Sequence, residues 1–292
     1  MKQPIELRKL RDFGQTINDS FTFFKENFKP LVRILLAICG LFILIGTIST
    51  VFTYMNISSM FNFTPGDYES SSKPVSYIIG SIVSAFILVL TQAFIHLATL
   101  CYISVYLQKN NTTPTLAEVW GYFRYYFLRV LGSGIAMFFV IAVGFVLCVI
   151  PGIYISIPMY LVIPIIVIEN GSFGYAFNKS FKLIKNNWWT VFGVIFIMSL
   201  VVGVASSIAG IPLTLVSVGS KFIPMKALSL PIIIFFSIMR NLLILAYTLP
   251  AIAVCLCYFN LSEDKEGTGL LDRIEKLGQH NNQNDGLPSE EY

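Results

Sequence analysis

The sequence predicts an all-α membrane protein. It would have six transmembrane helices as three hairpins, each preceded by a cytoplasmic interfacial amphipathic helix, with units one and three a parallel repeat. Three observations lead there. The chain is 55% hydrophobic and 12% charged, with a mean hydropathy of +0.72, whereas a soluble domain carries about a quarter charged residues. Long stretches hold no charge: Arg33 to Asp67, Lys73 to Lys109, Arg129 to Glu169, Lys185 to Lys221, and Asn241 to Ser262. A helix crosses the hydrocarbon core with about 20 apolar residues, so each stretch holds at least one crossing. Finally, "FGQTINDSFTFFKEN" at 13–27 and "FGYAFNKSFKLIKNN" at 173–187 agree at seven of fifteen positions, 160 residues apart and without a gap.

Residues 1–30 read as a cytoplasmic amphipathic segment. "MKQPIELRKLRDFG" puts charges where a signal peptide would start its apolar run. Phe13, Ile17, Phe21, Phe24 and Phe28 fall on one helical face with polar residues opposite. That pattern fits a helix lying in the membrane interface, or alternatively the core-facing helix of a small inner cap. Spans one and two are expected at about 31–55 and 75–106, joined by the polar loop "TPGDYESSSKP". Leu116, Trp120, Phe123, Phe127 and Val130 form a further aromatic stripe, opened by a capping box at Thr115 and Glu118.

The uncharged run to Ile168 is long enough for spans three (130–150) and four (152–168), with the break expected at "CVIPGIY", Pro151 ending one helix and Gly152 allowing the turn. The second phrase repeats the stripe as Phe173, Phe177, Phe181, Ile184 and Trp188. Span five is expected at 188–211, a short interfacial or re-entrant segment at 212–227, and span six at 229–260. Residues 31–260 thus form the transmembrane domain, and 261–292 a mostly disordered cytoplasmic tail. Sixteen of the twenty Lys and Arg residues fall in segments that this topology places inside, and three fall in outer loops, Arg240 being the twentieth. Both termini are therefore expected on the cytoplasmic side of the inner membrane.

The order Pro151-Gly152-Ile153-Tyr154, then Pro164 with Glu169, then Gly174, Ala176, Ser180, Lys185 and Trp189 leading into a span, carries a family resemblance. It resembles the membrane domain associated with bacterial glycerophosphodiester phosphodiesterases and its uncharacterised stand-alone relatives. The stretch "YFNLSEDKEGTGLLDRIEKLG" is similar to the tails of small Bacteroidetes-type membrane proteins. The resemblance implies a helical membrane domain. No barrel-sized polar segment occurs in these residues, so the phosphodiesterase chemistry does not carry over.

No paired aspartates, GxSxG, HExxH or P-loop occur, and His96 and His280 are the only histidines, which argues against multi-histidine metal sites. His96, in span two, reads first as an interhelical hydrogen-bonding residue. The cysteines all fall in apolar runs and read as small packing residues, Cys255 and Cys257 lacking CxxC spacing. The candidate lipid-headgroup or structural contacts are Lys25, Asn27, Glu169, Lys185, Asn187 and Arg240. Glu169 ends span four, as a headgroup contact, a partner for Lys179 or Lys182, or a charge at the positive end of the following helix. Arg240 is either inside the bundle, at a cost of about 2.5–3.5 kcal/mol, or caps the outer end of span six.

The expected role is non-enzymatic: an accessory, scaffold or lipid-organising protein of the inner membrane, the alternative being a transporter or permease-like protein for a small or lipidic substrate. The expected partners are the bilayer and anionic lipid headgroups, with no nucleic acid and no cofactor. Cysteines placed at Ser71 and Asn284 should label from opposite sides of the membrane. Labelling from one side would overturn the six-span topology.

Overall fold

The computed structural model describes residues 5–56, 68–219 and 226–267, and everything described is helix or short connection. The helices are α1 (Phe13–Glu26), α2 (Phe28–Asn56), α3 (Tyr68–Gln108), α4 (Leu116–Leu147), α5 (Val149–Glu169), α6 (Phe173–Ile184), α7 (Trp188–Gly219), α8 (Lys226–Leu243) and α9 (Thr248–Glu266). A 3-10 turn, Ile244–Tyr247, joins α8 to α9. Six segments are long and apolar enough to cross a membrane, the last running from Leu230 through the 3-10 turn to Glu266. Their outward faces carry exposed Leu44, Ile48, Phe86, Leu128 and Phe138, a surface suited to lipid rather than water.

α9 is the centre of the bundle. Its stretch "AIAVCLCYF" is apolar on every side, which suits a helix enclosed by others. Ala251, Ala253, Cys255 and Cys257 are buried and small, so neighbouring backbones approach closely. α1, α3, α5, α6 and α7 all pack on it, while α2 pairs with α3, α4 with α5, and α7 with α8.

The chain departs from its sequence-based outline at five places. The aromatic stripe before span three is not a separate helix. α4 runs unbroken from Leu116 to Leu147, opened by the Thr115–Glu118 capping box. The turn into α5 falls at Cys148, not at Pro151 and Gly152. Pro151 sits in the first turn of α5, where its missing N–H costs no hydrogen bond. α7 continues through Pro212 to Gly219, absorbing the first half of the segment expected at 212–227. Span six is broken at the 3-10 turn, because Pro250 cannot donate to Ala246 and its ring crowds that carbonyl. α9 also extends to Glu266, with Leu261 and Ser262 buried, so the polar tail starts later than residue 261. The loop at 57–67, the stretch 220–225 and the tail from 268 lie outside the described residues.

α1 and α6 start 160 residues apart, as do α2 and α7. Their buried positions coincide at the same offset: Thr16 with Ala176, Ser20 with Ser180, Phe23 with Leu183. The small-residue positions are the most deeply buried, and part of the aromatic stripe meets the bundle beside them: Ile184 is buried, and Ile17, Phe24, Phe173, Phe177 and Phe181 are half-buried against the core. Phe13, Phe21 and Phe28 are exposed, and Phe13 rests against Gly193 of α7.

Gly152 and Gly144 make the α4–α5 corner possible. A Cβ on Gly152 would lie 2.7 Å from the Phe145 ring, and one on Gly144 would lie 3.1 Å from the Gly152 backbone. Gly152→Ala should lower stability by about 1–3 kcal/mol, measured by thermal unfolding in detergent. Adding Phe145→Ala to that variant should restore part of the loss.

Candidate functional site

The polar chemistry is divided between the two ends of the bundle, with an apolar cavity between them. At one end, which we call the near end, side chains of α1, α5, α6 and α9 converge. Glu169 closes α5, and Asn170 takes a left-handed backbone (φ 53°) that turns the chain into α6. The Ser172 side chain caps α6 by accepting from the Tyr175 amide, so Glu169 is not that helix's cap. The Glu169 carboxylate instead binds side chains. Tyr175 donates to it at 2.7 Å, Tyr258 of α9 donates to its other oxygen, and Lys179 lies at 2.8 Å. Lys179 also reaches Glu266 at 2.8 Å, tying α6 to the end of α9. Lys265 completes the tie by donating to the Lys182 and Lys185 carbonyls at 2.8 and 2.7 Å.

Burial would depress the Lys179 ammonium, but hydrogen bonds to Glu169 and Glu266 outweigh it and raise its pKa above the ordinary lysine value. Tyr175 is raised by its bond to Glu169 and then by burial.

A second near-end cluster locks the segment before α1. Arg11 is buried and donates to the Glu6 and Leu7 carbonyls and, at 2.9 Å, to Asp19, while its backbone amide donates to Asn260 of α9 at 2.8 Å. Burial pushes the Asp19 carboxyl up, yet hydrogen bonds from Lys9 and Arg11 leave it below the usual value.

The sequence-predicted residues separate into different roles. Asn27 is buried: its amide donates to the Phe23 carbonyl, and Tyr102 of α3 donates to its oxygen at 2.9 Å. It is a structural contact and faces no headgroup. Lys25 and Lys185 are exposed, and Asn187 is half-buried beside Arg11 and Thr190 in a shallow near-end groove. Of the two partners considered for Glu169, Lys179 makes the contact.

The far end is built by α2, α3, α7 and α8 around a cavity of about 280 Å³. Arg240 lines it half-buried, donating to the Tyr54 hydroxyl at 3.3 Å with its guanidinium 5.9 Å from that ring. Asn241 is buried, donates to the Ser237 carbonyl at 2.9 Å and to Thr50 at 3.3 Å, and presses its oxygen against Gly46. Ser84 of α3 bonds to Ser49 and Thr53 of α2 at 2.7 and 2.9 Å. Tyr54 lies 26 residues along α2 from Phe28, a rise of about 39 Å. The hydrocarbon core is about 30 Å thick, so Arg240 stands at its far boundary rather than at mid-depth.

Between the ends lies a cavity of about 600 Å³, mostly apolar, among α3, α4, α5, α7 and the start of α9. Met137, Ile141, Met159 and Ile195 line its walls, with His96, Gln92 and Tyr160 as its main polar groups. His96 is twelve residues from the end of α3, about 18 Å from the near end and close to the mid-plane. The two cavities are lined by neighbouring residues of the chain: Thr91 and Ile244 line the far one, and Gln92 and Tyr247 the central one.

The sequence reading missed this cavity pair, as well as Tyr258 and Glu266. One signal was available: Thr50 with Thr53, and Ser81 with Ser84, put hydroxyls three apart on single faces of otherwise apolar runs. Among the described residues no group of three His, Cys, Asp or Glu side chains is placed to hold a metal.

Six apolar helical crossings, the last of them ending in the buried helix α9, define a multi-pass integral membrane protein. The family model described as the membrane domain of glycerophosphoryl diester phosphodiesterase matches residues 135–283, just over half of the chain. The chain belongs to this family. No curated protein matches it, and neither does any solved structure. Of the residues that carry the resemblance, Gly152 makes the α4–α5 corner, Glu169 anchors the near-end network, and Ala176 and Ser180 lie on the buried face of α6.

Lys179→Met should cost about 1.5–3 kcal/mol, since the ammonium bonds two carboxylates and is only 12% exposed. The sign with pH follows from its raised pKa. Its contribution is complete below the unfolded lysine value of about 10.4 and fades as pH rises through the higher folded value. The gap between wild type and variant should therefore hold from pH 7 to about 10 and narrow above, as read from unfolding curves.

Proposed function

We propose that this protein is a non-enzymatic, lipid-organising protein of the inner membrane that holds an amphiphilic lipid in its own bundle. The observation that carries this reading is a far-end cavity lined by Arg240 and hydroxyls, with a mostly apolar cavity at mid-depth lined by neighbouring residues of the same helices. A lipid has that order of chemistry, a polar head followed by an apolar tail. Both volumes, about 280 and 600 Å³, suit a molecular ligand when taken together. The near-end carboxylates support a structural rather than a catalytic role, because Glu169 and Glu266 are both engaged by Lys179, and Glu169 also by two tyrosines.

In this reading the near end is cytoplasmic, as the weighting of Lys and Arg toward it suggests. α1 and α6 are interfacial feet of two duplicated hairpin units, a reading supported by helix starts and buried positions that recur 160 residues apart. Exposed Lys25 and Lys185 would meet anionic headgroups, each worth about 1 kcal/mol.

A permease-like role is the second reading. Two cavities lined by neighbouring residues and a helix broken at Ile244–Tyr247 are the parts of a path that opens from the far end, with the near-end ion pairs as its closed side.

The test is mass spectrometry of lipid that co-purifies with the protein in native lipid particles. A lipid should be retained at a fixed ratio, and Ala93→Trp or Ser199→Phe, which fill the central cavity, should reduce that ratio severalfold. Unchanged lipid content in both folded variants would overturn the lipid-holding role.

A further inference from the structure

The central cavity holds polar groups that a hydrocarbon tail leaves unused. Gln92 and His96 on α3, Tyr160 on α5, Ser199 on α7 and Tyr247 in the 3-10 turn all line it. None of these five side chains has a hydrogen-bond partner among the described residues. By contrast, Thr47, Thr50, Thr99 and Ser133 each donate to the carbonyl four residues back in their own helix. In the hydrocarbon core an unpaired polar group is costly, so five of them around one cavity point to an occupant that pairs with them. An acyl chain has neither donor nor acceptor to offer.

Charge narrows the occupant. No Asp, Glu, Lys or Arg among the described residues lines the cavity. The segments outside the described side chains are remote along the helices. Lys73 is sixteen residues along α3 from Val89, the first lining residue of that helix, a rise of about 24 Å. α7 runs twenty residues past Ser199 to Gly219, about 30 Å, and α9 twelve past Val254 to Glu266, about 18 Å. A carboxylate or an ammonium in the cavity would therefore lack a counter-charge where a charge is least tolerated. An uncharged polar group fits. Each of the five side chains can donate a hydrogen bond, so an acceptor meets donors from several elements. The apolar lining suits a flat, unsaturated body. The Phe145, Tyr160 and Tyr247 rings and the Met137 and Met159 thioethers all pack well on π-surfaces.

We propose that the central cavity binds an uncharged lipid that carries a carbonyl group to mid-depth, where His96, Gln92 and Tyr160 donate to it. Two sources share this chemistry: an isoprenoid quinone, and an acylglycerol with its ester carbonyls. The aromatic and thioether walls favour the quinone, a flat ring whose two opposed carbonyls can accept from α3 and α5 at once. The inference rests on the lipid-holding reading and deepens it, by naming the polar chemistry of the lipid held at mid-depth.

The test is equilibrium retention by the full chain in detergent, read by chromatography of the extracted probe. The probes are a menaquinone with a short isoprene chain, dioctanoylglycerol, and squalene, an isoprenoid hydrocarbon without a carbonyl. The quinone should be retained more tightly than squalene. His96→Leu and Tyr160→Phe should each weaken its binding about threefold to tenfold, as loss of one hydrogen bond does, and leave squalene unchanged. Tyr160→Phe removes only a hydroxyl and keeps the test decisive where His96→Leu does not fold. Dioctanoylglycerol bound as tightly as the quinone, with the same losses in the variants, supports the carbonyl site and assigns it to an acylglycerol. Three outcomes overturn the site: squalene bound as tightly as the carbonyl lipids, carbonyl-lipid binding unchanged in the folded variants, or neither carbonyl lipid retained. The lipid-holding role is judged separately, by the native lipid content of the Ala93→Trp and Ser199→Phe proteins, and it survives any of the three if that content falls.

Discussion

Everything in this bundle depends on burying one helix in the middle of it. Thirteen of the nineteen residues of α9 are buried, and five other helices pack on it. In lipid the hydrophobic effect does not drive helices together, so close packing and polar contacts must do so. α9 supplies both. Its small residues let neighbours approach at mid-depth, and its last three turns carry the polar groups that hold the near end. Tyr258 reaches Glu169, Asn260 accepts from the Arg11 amide, and Glu266 and Lys265 fasten α6. These contacts gather the segment before α1, the end of α5, and α6 around the end of one helix.

The far end is assembled on a different rule. No ion pair among the described residues joins its helices, and hydroxyl and amide groups do the joining instead. The Ser49–Ser84–Thr53 cluster pins α2 to α3, and Asn241 with Thr50 pins α8 to α2. Each such bond is worth about 1 kcal/mol, because an unassembled helix in lipid also finds partners for its polar groups. The near end is thus tied by charge-assisted bonds and the far end by weaker neutral ones, around a cavity that Arg240 keeps polar. A ligand entering from the far end meets the more yielding side of the molecule.

Much of this fold was legible because lipid is a strict solvent. Runs without charge had to be crossings, and the family resemblance pointed to a helical membrane domain. What stayed illegible was set by local tolerance or by distance. Pro151 looked like a helix end but sits where a helix tolerates proline, so the break moved to Cys148. The stripe from Leu116 resembled the two repeated phrases, yet no cap or turn separates it from the crossing, and α4 runs straight through. Glu169 and Lys179 were readable as neighbours ten residues apart; Tyr258 and Glu266, some ninety residues on, left no local mark. Asn27 and Asn187 match in the repeat but differ in use, because only Asn27 faces a tyrosine on α3.

That divergence narrows what the repeated phrase can mean. A shared ligand site would require both copies to present the same side chains outward. The copies share the positions they bury, Thr16, Ser20 and Phe23 with Ala176, Ser180 and Leu183, and outside them Gly14, Asn18 and Lys25 match Gly174, Asn178 and Lys185 at exposed positions. They part in their ionic contacts: Lys179 joins a partly buried ion network, whereas Asp19, at the matching position, binds Arg11 and Lys9. Docking against the bundle accounts for Ser20 and Ser180, the one identical pair buried in both copies. The groups that could recognise a ligand lie elsewhere, on helices the phrase does not include: Arg240 among hydroxyls at the boundary of the hydrocarbon core, and His96 with Tyr160 in the central cavity.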